Sequence, residues 1–369
     1  MRRSLAFKFT FLVIVWLLLA IGCMQVPPRL FWPAAFGAMS LPLALGANLL
    51  LAGYWLLRRW PVALIPIAVA VLTWPHLMRG LALHPLYTSA APASAPELRV
   101  LSANVRIFNV YPQLRNEGLQ SSKGLIKWVA EHPADVICLQ EFYNEPRPTS
   151  DGTVFNAVRQ IGRLQKREAF VSNTLVNSMG GEFGMAIFSR YPILRRGTIT
   201  FNKLTQNHAM WADVRLPSHD TVRVFNAHLQ SMSMDERDIV DSYSSKHGLK
   251  TKGLGLLRRF KRGVVSRSIQ VDTLVRRIEA SPYPVLLCAD LNDTPFSYSY
   301  DQLADHLQNA WATAGTGFGA SYNGKLPLLR IDNQFMDPRW QVQQVRVRRD
   351  VPYSDHFPLE ATYRLQKSR

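Results

Sequence analysis

The first 96 residues contain no aspartate or glutamate, although the 369-residue chain has 26 acidic residues in total. Seven basic residues divide this stretch into three apolar segments with little or no charge. Each segment is near the ~20 residues that a helix needs to cross the hydrocarbon of a bilayer. The composition therefore favours membrane spans here, and we predict three transmembrane helices at about residues 10–26, 31–57 and 60–78.

Cysteine is also scarce. The chain has three cysteines, Cys23, Cys138 and Cys288, with no paired spacing and no Cys-x-x-Cys motif. This pattern excludes a disulfide framework and a metal site built from thiolates. Each cysteine lies in an apolar run, where a thiol most often packs as a small hydrophobic group.

The first apolar segment has an alternative interpretation. Its basic start, MRRSLAFK, and the run that ends at Cys23 are also compatible with a cleaved signal peptide or a lipoprotein signal. Two further apolar segments follow without a soluble domain between them, which favours a retained span. Under either interpretation the chain stays attached to a membrane.

Basic residues are distributed unequally around the three predicted spans. Three precede the first span, and Arg58 and Arg59 lie between the second and the third, whereas only Arg29 and Arg79 fall on the other side. The positive-inside rule then places the N-terminus in the cytoplasm and everything after the third span outside. We therefore predict a multi-pass protein of the inner (cytoplasmic) membrane with an extracytoplasmic C-terminal part.

A small-residue, proline-containing stretch, LYTSAAPASAP, follows the apolar segments at residues 86–96. Such a composition is typical of a tether between an anchor and a globular domain. We predict an anchor over residues 1–85, a linker over 86–96 and a globular domain over 97–369.

From Glu97 onward, short runs rich in Val, Ile and Leu alternate with polar and Gly/Pro segments, and residues 119–131, 154–163 and 264–280 have helical spacing. This pattern predicts a mixed α/β domain. The predicted strands are 98–105, 135–142, 184–190, 209–216, 221–229, 284–291, 330–337 and a pair near the C-terminus.

Polar side chains stand where these predicted strands end. Each alone has an ordinary structural explanation, as a turn residue, a helix cap or a satisfied buried histidine. Together they are harder to explain, because burying several carboxylates costs free energy unless a cation or hydrogen bonds compensate. Oxygens of Asp, Glu and Asn are the ligands that Mg²⁺ prefers. The set comprises Asn104, Gln140, Glu141, Asn226, His228, Asp290, Asn292, Asp332, Ser354, Asp355 and His356.

Asp290 and Asn292 close one such run, PVLLCADLND. Because side chains two apart on an extended strand project from the same face, we expect the carboxylate and the carboxamide to point to one side and Leu291 to point into the core.

The order of the motifs resembles that of the endonuclease/exonuclease/phosphatase superfamily, over about residues 98–365. Members of that superfamily include pancreatic deoxyribonuclease, abasic-site endonucleases, neutral sphingomyelinases and inositol polyphosphate phosphatases. The resemblance implies a four-layered α-β-β-α sandwich with the active site at one end of two packed β-sheets. The matching motifs are LSANV, LQE, GMAIFSRYPI, NAHLQS, ADLNDTP, RID and SDHFPL.

The resemblance also implies residue roles. It implies that Glu141 is the main metal-binding carboxylate, that Asn104 beside it is a metal ligand or a phosphate contact, and that Asp355 is a further metal ligand. Mg²⁺ is the expected ion and Mn²⁺ is the alternative. The resemblance further implies that Asp290 orients or deprotonates the attacking water. The residues expected to contact or steady the phosphate are Asn292, His228 and the pair Asp332 and His356.

This sequence departs from the superfamily pattern near two of these residues. Ala289 and Leu291 replace the usual glycine and phenylalanine around Asp290, and Asn333 and Gln334 follow Asp332 where Tyr and Ile are usual. Neither change removes a predicted ligand or acid/base group. We expect catalysis to be intact and the walls on the substrate side to differ.

The formal net charge is +17, and eight basic residues without an acidic one are concentrated between Lys246 and Arg267. The segment LGLLRRFKR mixes leucine and phenylalanine with these charges. It is either a solvated loop and helix or a contact surface for a polyanion, which means a nucleic-acid backbone or anionic lipid headgroups. No base-recognition motif and no protein-partner motif is visible.

Two functions from different classes remain at this stage. One is a membrane-anchored, divalent-metal-dependent phosphoesterase that hydrolyses phosphodiester bonds in a nucleic acid or a phospholipid-like substrate. The other is a catalytically silent, membrane-tethered module that binds an anionic partner through its basic surface. A silent relative would be expected to lack one of Glu141, Asp290, Asn292 or His356, and the chain retains all four, which favours the enzyme.

Overall fold

A computed structural model of the chain describes residues 5–84, 97–114, 118–146, 154–201, 206–231, 246–324, 326 and 328–366. Side chains of residues 246–252 are outside this description. The predicted linker, residues 86–96, also lies outside the described residues, so its prediction stays untested.

The N-terminal part consists of helices. Two of them are long and apolar enough to cross a membrane, and a further pair passes the same test only if it counts as one bent span. The helices are α1 (Leu5–Gln25), α2 (Pro28–Phe31), α3 (Ala34–Met39), α4 (Leu41–Arg58), α5 (Trp60–Leu72) and α6 (Trp74–Gly80).

The structure corrects the expectation of three continuous spans. Only α1 and α4 qualify singly among the described residues, and the stretch expected to span over 31–57 is interrupted before α4 begins. Proline explains the interruption, because it lacks an N–H and favours the start of a helix, and Pro33 and Pro42 stand at the starts of α3 and α4. The third expected span is bent by 60° between α5 and α6.

The rest of the described chain contains two six-stranded sheets. In the first, the order is β13-β14-β2-β3-β5-β4, and only β2 and β3 are parallel neighbours. Its strands are β2 (Glu97–Asn104), β3 (Val136–Asn144), β4 (Glu168–Val176), β5 (Glu182–Ser189), β13 (Trp340–Val347) and β14 (Leu359–Leu365).

The second sheet has the order β10-β12-β9-β8-β7-β6, and only β8 and β9 are parallel neighbours. Its strands are β6 (Ile193–Ile199), β7 (Ala209–Arg215), β8 (Thr221–His228), β9 (Val285–Asp290), β10 (Gln308–Asn309) and β12 (Asp332–Met336). A separate pair joins β1 (Ala82–Leu83) to β11 (Thr316–Gly317).

The two sheets pack face to face with helices outside them. Buried side chains of both sheets, among them Cys138 and Cys288, form one apolar cluster between the sheets. Helix α7 (Gln120–Glu131) covers the first sheet with its apolar face, and helix α8 (Lys246–Glu279) covers the second. The predicted four-layered α-β-β-α sandwich is therefore confirmed.

Local elements differ from the sequence prediction in a few places. Strands β4 and β6 were not predicted, and the helix expected over 154–163 is reduced to a π-helical turn at Val158–Gly162 and a 3₁₀ turn at Arg163–Gln165. Two further 3₁₀ turns lie at Arg106–Asn109 and Pro112–Leu114. Two short helices, α9 (Tyr298–Ala304) and α10 (Ala310–Ala314), follow β9 and β10.

The N-terminal helices contact the sandwich directly. Arg29 forms an ion pair with Asp272 of α8, and Arg79 forms one with Asp301 of α9. Phe36 of α3 stacks on Phe260 of α8 with ring centroids 4.3 Å apart. The described part of the chain thus forms one continuous packed structure.

Candidate active site

Four strand termini and an irregularity within β3 meet at one edge of the sandwich. Strand β2 ends at Asn104, opposite Gln140 of β3, and Glu141 lies where the pairing of β3 with β5 shifts its register. The parallel strands β8 and β9 end at His228 and Asp290. Strand β12 is antiparallel to β9 and begins at the same edge, so that Asp332 is paired in register with Asp290. The sheet topology therefore brings these predicted residues together.

Asn104 holds two of the carboxylates. Its side-chain nitrogen donates to Glu141 Oε1 and to Asp290 Oδ2, both at 2.9 Å. Its side-chain oxygen accepts from the backbone N–H of Arg106 at 3.0 Å, which fixes the orientation of the amide. Asn104 and Asp290 are buried, whereas the side chain of Glu141 is 28% exposed.

His228 lies between the same two carboxylates. Its Nε2 is 3.7 Å from Glu141 Oε1 and 3.6 Å from Asp290 Oδ2, which is too far for a hydrogen bond. The ring is 3% exposed, and neither of its nitrogens has a hydrogen-bond partner among the described residues. A buried imidazole without partners is costly unless a bound species completes it.

Asp332 and His356 form a second, hydrogen-bonded pair. Nδ1 of His356 is 2.8 Å from Oδ2 of Asp332 and 3.9 Å from Oδ2 of Asp290. Burial opposes the charged imidazolium, but the negative charges of Asp332 and Asp290 and the hydrogen bond to Asp332 outweigh it and raise the pKa of His356 well above its usual range. The structure therefore favours a protonated His356.

Asn292 is placed differently from the sequence expectation. Strand β9 ends at Asp290, and Asn292 has a left-handed backbone with φ of 49°, so the two side chains do not share one face of an extended strand. The backbone N–H of Asn292 instead donates to Asp290 Oδ1 at 2.9 Å, and its amide donates to the carbonyl of Leu229 at 3.1 Å. Asn292 still lies at the site, where it fixes the Asp290 carboxylate. Leu291 is buried in the core, as expected.

Asp355 pairs with a residue that the sequence prediction did not include. Nε of Arg106 lies 3.2 Å from Oδ2 of Asp355, and both side chains are about one-third exposed, at 35% and 32%. Arg106 begins a run of four consecutive non-glycine residues with φ between 46° and 51°. Left-handed backbone is unfavourable for such residues and often occurs at functional sites. Glu141 shares this feature, with φ of 48°.

The donor set suits a hard divalent cation. Carboxylates dominate the edge, and the described residues include a buried group, Asp290, Asp332 and His356, whose ligand atoms lie within 4.8 Å of one another. One oxygen of Asp332, Oδ1, is buried without a hydrogen-bond partner. Of the predicted ligands, Glu141 and Asp355 are carboxylates, whereas Asn104 turns its amide nitrogen toward Glu141 and Asp290 and would have to rotate its amide to offer the oxygen to a metal there.

Among the polar residues that link the site to the rest of the fold, sequence reasoning missed Ser321, and it assigned no role to Gln140, Asn226 and Ser354 although they belong to the predicted polar set. Gln140 donates to Asn226 across the two sheets at 2.7 Å, directly behind Glu141 and His228. Ser321 accepts from the backbone N–H of Asp332 at 3.0 Å. The Ser354 hydroxyl donates to the Asn104 carbonyl at 2.9 Å. A polar residue at the buried end of a strand was the only sequence signal for the first pair.

Only some of the basic side chains between Lys246 and Arg267 are exposed among the described residues. Arg258, Arg259, Lys261 and Arg262 are exposed, whereas the side chains of Lys246, Lys250 and Lys252 are outside the described residues. Arg267 is a correction to the expected basic surface, because it is buried and its Nε lies 2.9 Å from Asp293 Oδ2. It also donates to the Gln230 carbonyl, so it connects α8 both to the loop after Asp290 and to the segment that follows His228.

Comparisons with known proteins agree with this geometry. A family model described as "Endonuclease/Exonuclease/phosphatase family" matches residues 101–356, more than half of the chain. A second model, of a domain of unknown function, matches residues 3–80. No curated protein matches the sequence significantly.

Solved structures resemble the sandwich at low identity. The human nocturnin catalytic domain with bound sulfate has a TM-score of 0.52 at 14% identity, over 77% of this chain and 100% of that one. An endonuclease/exonuclease/phosphatase family protein from Bacteroides thetaiotaomicron has 0.52 at 16%, over 74% and 99%. A mannosyl-6-phosphatase from the same organism has 0.50 at 16%, over 72% and 99%.

At these identities the structural likeness establishes the fold, and the family model establishes the family. The chain therefore belongs to the endonuclease/exonuclease/phosphatase family and is a hydrolase of phosphoric ester bonds.

Proposed function

We propose that this protein is a membrane-anchored, divalent-metal-dependent phosphoesterase that hydrolyses phosphodiester bonds by in-line attack of water. The observation that carries the proposal is the arrangement around Asp290. One amide joins this buried carboxylate to Glu141, and the hydrogen-bonded pair of Asp332 and His356 lies beside it.

The metal ligands in this proposal are Glu141, Asn104 and Asp355. Mg²⁺, or Mn²⁺ as the alternative, would be held there and supplies positive charge near the phosphoryl and leaving oxygens when bound. Arg106 holds Asp355 at the rim of the site and keeps this carboxylate oriented.

Asp290 is the residue that orients the attacking water and takes its proton. Both of its oxygens accept a hydrogen bond, one from the Asn104 amide and the other from the Asn292 backbone N–H. A carboxylate fixed at two points loses little freedom when it engages a water, which is the advantage that orientation gives to general base catalysis.

His356 and His228 are the residues that contact the phosphoryl oxygens. Asp332 holds Nδ1 of His356, which leaves Nε2 of the imidazolium as a charged donor for an oxygen that gains negative charge. His228 contributes Nε2, which has no hydrogen-bond partner among the described residues. The Asn292 amide, now bonded to Leu229, is a further donor in the same place.

The proposed substrate is a phosphodiester in a nucleic acid or a phospholipid-like molecule, and the exposed basic residues of α8 are a proposed contact for its polyanionic surroundings. The proposed location is the inner (cytoplasmic) membrane, with the sandwich on the extracytoplasmic side. This orientation needs an odd number of crossings, which α1, α4 and the bent pair of α5 and α6, counted as one span, provide. The bilayer itself is the partner of the apolar helices.

The test uses the purified full-length protein in detergent. Hydrolysis of bis-p-nitrophenyl phosphate, plasmid DNA, RNA and a phospholipid panel is measured with Mg²⁺, with Mn²⁺ and with EDTA. Asp290→Asn and His356→Gln are compared with Asp220→Asn, an isosteric change in the turn before β8 and therefore at the opposite end of that strand from the site.

We expect metal-dependent turnover that falls roughly 100-fold to 10,000-fold in the two site variants and stays unchanged in Asp220→Asn. Turnover of no substrate with either metal, or full activity in both site variants, would contradict the proposal. Tight binding of an anionic substrate without turnover would instead support the silent binding module.

A further inference from the structure

The loop between β11 and β12 exposes apolar side chains at the edge of the site. We call the described residues of this loop, 318–324, 326 and 328–331, the rim loop. Phe318 is 46% exposed, Leu326 is 42% exposed and Leu328 is 58% exposed, while Lys325 and Pro327 lie outside the described residues. Exposed leucine and phenylalanine grouped on one loop are unusual for a surface that contacts only water.

The rim loop borders the proposed active site. Tyr322 is paired with His356 by an isolated β-bridge, and their ring centroids are 5.5 Å apart. The backbone N–H of Asn323 donates to the carbonyl of Asp355 at 2.7 Å. Any molecule that reaches His356 from this side passes the rim loop.

The rim loop also contacts the last of the N-terminal helices, near the end of α6. Arg330 donates to the carbonyl of Arg79 near the end of α6 and to the carbonyl of Phe318. Strand β1, which follows α6, pairs with β11 immediately before the loop. Leu83 of β1 is also exposed, at 48%, so it extends the apolar surface toward α6.

Charge in the rim loop does not suit a polyanion. The described residues of the rim loop include no acidic residue and one basic residue, Arg330, which is buried and bonded to the Arg79 carbonyl. A nucleic-acid surface would use exposed cations, whereas exposed apolar side chains beside membrane helices suit the acyl and headgroup region of a bilayer.

We propose that the rim loop rests on the bilayer through Phe318, Leu326 and Leu328, and that the substrate is a phosphodiester of a membrane phospholipid. This inference rests on the proposed function. With the loop on the lipid surface, the headgroup phosphate of a lipid in the same leaflet enters beside Tyr322 and His356 without leaving the membrane.

The first test measures contact with lipid directly. Leu328→Cys in a Cys23→Ser background is labelled with an NBD fluorophore, since Cys138 and Cys288 are buried. The full-length protein is placed in phosphatidylcholine and phosphatidylglycerol nanodiscs with or without nitroxide-labelled phosphatidylcholine. Leu164→Cys is the matched control, because Leu164 is equally exposed, at 56%, but lies near Arg167 and the end of α7, where β3 begins rather than ends.

We expect nitroxide lipid to quench the label at position 328 and to leave the label at position 164 unquenched. Equal quenching at the two positions, or none at either, overturns the proposed contact between the rim loop and the bilayer, whatever the catalytic result.

The second test separates the lipid substrate from catalysis. Leu328→Asp and the control Leu164→Asp are assayed on bis-p-nitrophenyl phosphate in solution, and on phosphatidylglycerol, phosphatidylethanolamine and phosphatidylinositol in phosphatidylcholine nanodiscs. Since burying a leucine in lipid contributes a factor of about ten or more to binding, Leu328→Asp is expected to lower lipid turnover about tenfold and to leave turnover of the soluble ester unchanged. Leu164→Asp is expected to change neither.

The outcomes distinguish the two proposals. Hydrolysis of the soluble ester or DNA but of none of the lipids overturns the lipid substrate and leaves the phosphoesterase intact. An equal loss on both substrates in Leu328→Asp also overturns it. No hydrolysis of any ester means that the proposed function fails, and the quenching result then decides alone whether the rim loop contacts lipid.

Discussion

Replacing Asn104 by alanine removes one amide that joins the two carboxylates at the centre of the site. Its nitrogen makes two hydrogen bonds to carboxylate oxygens, at 2.9 Å each. Hydrogen bonds to charged groups contribute roughly 1.5–3 kcal/mol each. The two bonds together therefore stabilise the observed positions of Glu141 and Asp290 by roughly 3–6 kcal/mol. If this orientation is needed in the transition state, kcat falls about 100-fold to 10,000-fold.

The assay is initial-rate hydrolysis of bis-p-nitrophenyl phosphate by the full-length protein at saturating Mg²⁺. Asn104→Asp is the informative partner variant, because it keeps the size of the side chain but replaces the donor with a third carboxylate that faces Glu141 and Asp290. Like charges at hydrogen-bonding distance repel strongly in a buried site, so we expect Asn104→Asp to be at least as inactive at neutral pH. Thermal unfolding of each variant shows whether the fold is retained.

A folded Asn104→Ala variant with kcat within threefold of wild type would refute the reasoning. Asn104 would then be a structural residue of β2, and its hydrogen bonds to the two carboxylates would not be needed to orient them for catalysis. A higher KM for Mg²⁺ with unchanged kcat would instead assign it to metal binding alone.

Three other expectations concern stability and metal. Arg267→Met leaves Asp293, whose side chain is 12% exposed, without its guanidinium, so we expect a loss of roughly 1–3 kcal/mol in chemical unfolding, partly recovered when Asp293→Asn is added. Gly184→Ala places a methyl 2.0 Å from the Ser172 carbonyl and is expected to cost roughly 1–3 kcal/mol, whereas Gly46→Ala, with no atom within 4 Å, is expected to be neutral or stabilising in the same measurement. EDTA is expected to abolish hydrolysis, and Mg²⁺ added in excess is expected to restore it within one assay.

Much of the site could be predicted because its residues stand at strand ends. A polar side chain that follows a buried run has to leave the core at the edge of the sheet, and the ends of parallel strands share one edge. Asn104 and His228 stand at such ends, and Asp290 does too. What the strand pattern cannot supply is the backbone beyond the last strand residue. The φ of Asn292 turned its side chain away from the face that alternation predicted.

Arg106 and Arg267 show a second limit of sequence reasoning. Both are basic residues in segments with other polar residues, and composition alone suggests solvent exposure. The structure pairs Arg106 with Asp355 and buries Arg267 against Asp293. These partners are more than 20 residues away in the chain, so the pairing depends on the packing of α8 and on the loops at the site edge.

The interruption between α3 and α4 limits the anchor prediction in the same way. Residues 31–57 are apolar throughout, so hydropathy counted them as one span. Instead, α2 and α3 lie against α1 and α8, where Phe36 packs on Phe260. An apolar segment of this length can be buried in a membrane or against another part of the protein, and only the tertiary packing decides which of the two occurs.

The contacts between helices and sandwich also bear on the proposed orientation. Arg29 and Arg79 are paired with Asp272 and Asp301, so the basic residues on the side of the sandwich are neutralised. At the other end, Trp55 of α4 donates to Thr10 of α1 at 2.8 Å, which places the end of α4 beside the start of α1. The basic residues near that end have no acidic partner among the described residues; they are Lys8, Arg58 and Arg59. Because the positive-inside rule counts basic residues and gives acidic partners little weight, these ion pairs do not change the count, which among the described residues is three basic residues at this end against two beside the sandwich. The proposed orientation, with the N-terminus in the cytoplasm, therefore rests on that count alone.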